Sequence, residues 1–287
     1  MASPPPAPDE AADWSRAVLA GRVEPVEARP AATVMLLRGA AASAQGDALE
    51  VYLLRRVPAM AFAPGAYVFP GGGVDPRDAD AALGWAGPSP AVWASQLGAD
   101  EESARALVCA AVRETFEESG VLLAGPSATE VVADTRGDDW EADRRALLDR
   151  SLSLAGLLER RGLVLRSDLL RAWSRWITPV AEPRRFDTRF FAAVLPRGQR
   201  PREVGGEADR VAWLSPSEAL AGWRRGELDM LPPTAATLRE LSDCGTLHGV
   251  LGAEREISPI MPEIREVDGT LRAVLPEGAP RPFDDSP

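Results

Sequence analysis

The chain has 287 residues, 45% of them apolar and 26% charged, the proportions of a folded protein with a sizeable core and not of a disordered one. Its 43 acidic side chains against 32 basic ones leave a net charge of -11, which argues against a nucleic-acid partner because such binding rests on a basic surface. All the cations are arginine and the one histidine is His248, which excludes lysine-dependent phosphate loops and Schiff bases and leaves almost no room for histidine-rich metal sites or Ser-His triads.

Residues 1–27 open on "MASPPPAPDEAADW", Pro-rich and acidic, and we expect a flexible lead-in without a signal peptide. "AATVMLL" (31–37) and "LEVYLLRR" (49–56) are apolar runs rich in Val, Leu and Tyr, predicted as two strands joined by a small-residue linker. "GAYVF" (65–69) predicts a third strand, halted by Pro70 and the glycines Gly71, Gly72 and Gly73. A helix is predicted from Asp100, a capping residue, to a stop at Gly120. Leucines at helical spacing over 139–172 predict a helical insertion, after which "WSRWITPV", "DTRFFAAVL" and "DRVAWLS" return to strands. "SPSEALAGWRRGEL" (215–228) reads as a helix with Ser215 and Glu218 in a capping box. The tail "EGAPRPFDDSP" reads as disordered.

Cys109 and Cys244 lie 135 positions apart (244 minus 109) with no metal-type spacing, which suits free thiols in a reducing compartment. No run approaches the roughly 18 apolar residues needed to cross a bilayer. The expectation is a cytoplasmic protein with no membrane partner.

The helix over 100–119 carries the chemistry. Its Glu114, Glu117 and Glu118 fall within an arc of about 100°, while Val108, Val112 and Phe116 form an apolar stripe at spacing i, i+4, i+8. Like charges so placed destabilise a helix by a few tenths of a kcal/mol per pair, so the arrangement is unhelpful unless a cation sits against it, the alternative being a plain solvated acidic face. Oxygen ligands without His or Cys favour Mg²⁺ or Mn²⁺. A backbone turning beside that ion needs positive φ and close approach, which glycine provides cheaply, and Gly71 or Gly72, with Gly72 the metal candidate, could then offer its carbonyl to it. Arg113 would pair with a glutamate and fix its orientation.

"RETFEESGV" (113–121) and "FPGGG" (69–73) together resemble the Nudix box, with Thr115 at a position that is usually aliphatic. Gly72 and Arg113 stand 41 apart (113 minus 72), about 27 more than the box's usual spacing of about 14. The position eight before Arg113 is Arg105, so the box's intermediate glutamate has no clear counterpart. A box split this way, with "EVYLLRR", "PGAYVFPGG", "RWITP", "RRFDTRFF" and "LPPT", resembles the long Nudix hydrolases that include peroxisomal acyl-coenzyme A diphosphatases. The related coenzyme A signature is met only in part, because the position four before Gly65 is Ala61.

The resemblance implies an α/β (α+β) fold, an α/β/α sandwich with a mixed sheet and helical insertions. It implies one Nudix domain over 28–254, with insertions at about 74–100 and 139–172, and an extension over 255–287. The implied activity is metal-dependent cleavage of a diphosphate in coenzyme A or acyl-coenzyme A. ADP-ribose or a dinucleotide is the alternative substrate, and a non-catalytic ligand-sensing module the alternative class. Glu207, on the loop before a tryptophan strand, is the expected general base, with Glu203 and Glu182 as competitors. Arg55, Arg184, Arg185 and Phe186 are the expected substrate contacts, with the arginines meeting phosphate and Phe186 or Phe190 stacking on a base. The partner is a small-molecule diphosphate, and a homodimer is left open.

Overall fold

The computed structural model describes residues 8–39, 49–57, 63–202 and 208–281. Helix α1 (Pro8–Leu19) lies in the stretch expected as a flexible lead-in. Its Ser15 hydroxyl donates to the Ala181 carbonyl at 2.9 Å, so this part is docked on the rest of the protein.

Strands β1 (Arg29–Gly39) and β2 (Leu49–Arg56) form at the first two apolar runs and β3 (Tyr67–Val68) in the third, while the glycines expected to halt it form a strand of their own, β4 (Gly71–Gly73). The first insertion folds as a 3-10 turn (Pro76–Ala79), β5 (Trp85–Ala86) and α2 (Pro90–Leu97). Helix α3 (Glu101–Ser119) starts after Asp100, whose carboxylate accepts from the Ser103 amide at 2.8 Å. It stops at Gly120 with φ 72°, the left-handed conformation that favours glycine. Then come β6 (Ala124–Gly125), α4 (Asp138–Leu148), α5 (Leu154–Arg161) and β7 (Val164–Arg166). The leucine spacing marks the two helices but not β7, which pairs parallel with β5 and antiparallel with β6. So short a strand has no period of its own, and its partners β5 and β6 define it.

Strands β8 (Leu170–Ile177), β9 (Phe186–Val194) and β10 (Ala208–Leu214) follow, β8 beginning inside the stretch expected to be helical. Helix α6 (Pro216–Arg224) carries the expected capping box, and α7 (Pro232–Cys244) and α8 (Leu247–Gly252) come next. β11 (Pro259–Ile260), β12 (Glu263–Val267) and β13 (Thr270–Val274) end the described chain.

The main sheet runs β10-β2-β1-β9-β8-β11, with β3 on β2 and β4 on β1. The β1–β9 and β8–β11 pairs are parallel and the others antiparallel, giving the mixed sheet. Side chains alternate along β1: Ala32, Val34 and Leu36 face a core shared with α2 and α3, and Met35 and Leu37 face one shared with α6 and α7. The result is an α/β/α sandwich. Fully buried Phe116 and Phe191 anchor the first layer, each contributing about 1.5–3 kcal/mol of apolar burial. Trp173, Trp176 and Phe190 belong to the second core, so Phe190 is not a stacking platform. Both cysteines are free thiols. Among the described residues no helix is long and apolar enough to cross a membrane.

The register fixes where the chemistry sits. Gly71–Gly73 pair with Ala31–Thr33 at the start of β1, Phe186 pairs with Arg29, and Arg55 pairs with Tyr67 at the end of β2. The glycine strand, the end of β2 and the start of β9 therefore lie at one end of the sheet.

Candidate active site

Helix α3 crosses that end with Arg113 at the centre of a buried polar cluster. Arg113 Nε donates to Asp78 Oδ1 at 3.0 Å and Nη2 to Asp78 Oδ2 at 2.9 Å. Nη1 donates to Glu114 Oε1 at 2.7 Å and Glu117 Oε1 at 3.3 Å, and Nη2 also reaches the Gly73 carbonyl at 2.9 Å. Arg113 is thus paired with two of the three glutamates. The third, Glu118, accepts the Gly71 amide at 2.8 Å through Oε2.

Asp78 is the residue the sequence reading missed. It stands six positions after Gly72, before the first insertion's helix, and supplies the acidic partner that counting back from Arg113 failed to find. Its signal was the run Asp75-Pro76-Arg77-Asp78, which forms a capping box: Asp75 caps the 3-10 turn while the Asp75 amide donates to Asp78 Oδ2 at 2.8 Å.

Gly71 and Gly72 serve close approach alone. None of Gly71, Gly72 and Gly73 has a positive φ, contrary to one half of the expectation; they are ordinary strand residues paired with β1. A Cβ on Gly72 would lie 2.6 Å from Glu114 Oε1, and one on Gly71 would lie 2.6 Å from the Ala32 carbonyl and the Thr33 side chain. A side chain at 72 would therefore displace the Glu114 carboxylate.

Burial sets the electrostatics. It pushes the Glu114 carboxyl up to about 7 against the pull of Arg113, and raises Glu117 in the same direction. Burial alone would lower Arg113, but Asp78 and the glutamates outweigh it and hold the guanidinium firmly charged. Asp78, Glu114 and Glu117 share this one cation, so the cluster carries excess negative charge when ionised. Such a donor set, hard carboxylate oxygens short of positive charge, fits a divalent cation. Among the described residues no three His, Cys, Asp or Glu side chains are already gathered around one point; Glu114 and Glu117 turn an oxygen to Arg113 and Glu118 to the Gly71 amide.

The expected substrate contacts lie at the same sheet end but are engaged elsewhere. Arg55 makes two bonds of 2.7 Å to Asp209. Arg185 donates to the Thr178 and Val26 carbonyls at 3.1 and 2.8 Å and lies 3.6 Å from Met261 Sδ. It therefore ties the loop before β9 to both terminal segments. Arg184 is half-buried in that loop, and the Phe186 amide donates to Thr178 Oγ1 at 3.0 Å. Glu182, in the same loop, is raised by burial. Glu207, Glu203 and Ala61 lie outside the described residues.

A mixed sheet between helices, with a glycine strand laid against an Arg-Glu-x-x-Glu-Glu helix, defines a Nudix-type fold and site. The family model for the NUDT19 Nudix domain matches residues 94–241, and the chain belongs to that family. It is similar to the acyl-coenzyme A diphosphatase NUDT19 of Gallus gallus, with 28% identity over 77% of this chain and 69% of that protein. Its similarity to the human acyl-coenzyme A diphosphatase NUDT19 is 30% identity over 70% of this chain and 62% of that protein. A crystal structure of a Nudix hydrolase from Alicyclobacillus acidocaldarius superposes with a TM-score of 0.65 at 31% identity, over 80% of this chain and 98% of that one.

Proposed function

We propose that the chain hydrolyses the diphosphate linkage of coenzyme A or acyl-coenzyme A with the help of Mg²⁺ or Mn²⁺. One observation carries the reading: Glu114, Glu117 and Glu118 of one helix are held by Arg113 and the Gly71 amide against a strand with no room for a side chain at positions 71 and 72. The named relatives that cleave acyl-coenzyme A support the substrate class.

Glu114, Glu117 and Glu118 would hold the ion, with the Gly72 carbonyl beside them. A divalent ion supplies positive charge against the diphosphate oxygens and lowers the pKa of a water bound to it. The protein's own part is orientation: Arg113, fixed by Asp78, keeps Glu114 and Glu117 in place, and the Gly71 amide keeps Glu118. A carboxylate takes the proton from the attacking water, and Glu207 is our choice for that role, with Glu203 and Glu182 as the other carboxylates to test. Arg55, Arg184 and Phe186 stand at the right end of the sheet to border the substrate. The protein works in the cytoplasm, as a monomer or a homodimer.

The test is incubation of the purified protein with Mg²⁺ or Mn²⁺ and coenzyme A, an acyl-coenzyme A, ADP-ribose or NADH, with products identified by mass. Adenosine 3′,5′-bisphosphate and a phosphopantetheine released from a coenzyme A species are expected. AMP from ADP-ribose alone would reassign the substrate, and metal-dependent cleavage of none would overturn the reading.

A further inference from the structure

The connection between α4 and α5 departs from the way the other helices end. Six helices stop on a glycine in the left-handed region: Gly21 after α1, Gly98, Gly120, Gly162, Gly226 and Gly245, with φ between 59° and 72°. Helix α8 ends on an extended Ala253. After α4 the left-handed position is held by Arg150, at φ 63°. A side chain is disfavoured there and glycine is the ordinary choice, and residues kept in such conformations cluster at functional sites.

The place of Arg150 is also built. Its carbonyl accepts Arg77 Nη1 at 2.9 Å, and Arg77 is locked to Asp75 by bonds of 2.9 and 3.0 Å through Nε and Nη2. These contacts bring Arg150 Nε to 4.0 Å from Asp75 Oδ2 while leaving its side chain 78% exposed. Asp75 is joined through its amide to Asp78, the residue that grips Arg113. Arg150 thus stands, through Asp75 and Asp78, at the rim of the carboxylate cluster.

Among the described residues, Asp75, Asp78, Glu114 and Glu117 are bonded to Arg77 and Arg113, so four carboxylates there share two guanidiniums. A polyanion approaching this region meets repulsion unless a cation faces outward, and an arginine fork matches phosphoryl oxygens.

We propose that Arg150, contributed by the second insertion, is a substrate-binding residue whose guanidinium receives a phosphoryl group at the rim of the site. This rests on the reading of the site as a diphosphate hydrolase. The phosphoryl group is either the diphosphate itself or the ribose phosphomonoester of coenzyme A, and the two are separable by substrate.

The experiment compares wild type, R150G and R150K with coenzyme A and 3′-dephospho-coenzyme A in the presence of Mn²⁺, together with thermal melts. R150G should raise KM about tenfold, the loss of one charge-assisted contact, with kcat within about threefold. Its melting temperature should be no lower than wild type, because glycine suits the left-handed position, so a binding defect cannot be ascribed to unfolding. R150K should recover part of the loss, and added salt should narrow the gap. A KM effect on coenzyme A alone assigns the phosphomonoester, and an effect on both substrates assigns the diphosphate; either supports the proposal. Unchanged KM for both, or a fall in kcat at constant KM, overturns it. Binding of inorganic diphosphate with Mn²⁺, followed by calorimetry, reads Arg150 without turnover. If wild type cleaves neither substrate, the functional reading fails, whereas an R150G protein that matches wild type both in KM for the two substrates and in diphosphate affinity defeats the Arg150 proposal by itself.

Discussion

Asp78 and Arg113 face each other through two parallel hydrogen bonds of 3.0 and 2.9 Å, with side-chain exposures of 2% and 10%. The pair ties the start of the first insertion to the helix that carries the glutamates, and it leaves Arg113 Nη1 free to hold Glu114 and Glu117. Breaking one partner of a buried ion pair costs about 3–5 kcal/mol because the other charge is stranded. We expect D78N to lower the urea-derived stability by about 3 kcal/mol, toward the low end because Arg113 keeps its glutamates. Turnover should fall about 10- to 100-fold as Glu114 and Glu117 lose their fixed orientation. A D78N protein with wild-type melting and rate would remove Asp78 from the site.

The three glycines should respond differently to the same substitution. G73A should be within about 0.5 kcal/mol of wild type, since a Cβ there meets nothing within 4 Å. G71A drives its Cβ into the Ala32 carbonyl and Thr33 and should cost about 1–3 kcal/mol of stability. G72A meets the movable end of Glu114, so its defect should appear in kcat before it appears in the melt. Equal behaviour of all three in paired melts and assays would contradict the close-approach account.

Glu118 offers a separation of folding from chemistry. A glutamine still presents an oxygen to the Gly71 amide, whose bond to Oε2 is 2.8 Å, but lacks the charge a divalent ion needs. E118Q should keep its melting temperature within a few degrees and lose turnover by about 100-fold or more. Chelation of the wild type should match that loss and Mn²⁺ should reverse it. Normal activity in E118Q would sink the assignment of the ion to these glutamates.

The raised Glu114 carboxyl gives a pH dependence with a definite sign. Its pKa rises from the ordinary 4.5 to about 7 in the folded protein, mainly through burial. The folded state therefore holds a proton that the unfolded state releases between those values. Its stabilisation is complete below the unfolded value and is lost as pH rises through the folded one. Metal-free protein should melt higher at pH 5.5 than at pH 8 on account of this group. A divalent ion binds the ionised carboxylate, so added Mg²⁺ should raise the melting temperature more at pH 8 than at pH 5.5. Equal gains at the two pH values, read by scanning calorimetry, would refute the link between Glu114 and the ion.

What the sequence determined by itself was local. Asp100 and Gly120 delimit the carboxylate helix because capping and left-handed termination act within a few residues, and Val108, Val112 and Phe116 mark its buried face because periodicity is a property of one element. The β1 and β2 runs, the Ser215–Glu218 box and the Nudix-like spacing of Arg113 to Glu118 were legible for the same reason. Only the tertiary structure decided that Asp78 grips Arg113 across 35 positions, that Arg185 is a staple between terminal segments, and that β7 joins the two insertions. It also decided that glycines 71 and 72 are required by what lies against them and not by their own φ. A partner distant in sequence leaves no period and no cap signal, and the identity of an arginine's partner is fixed by which carboxylate the fold brings within 3 Å of it.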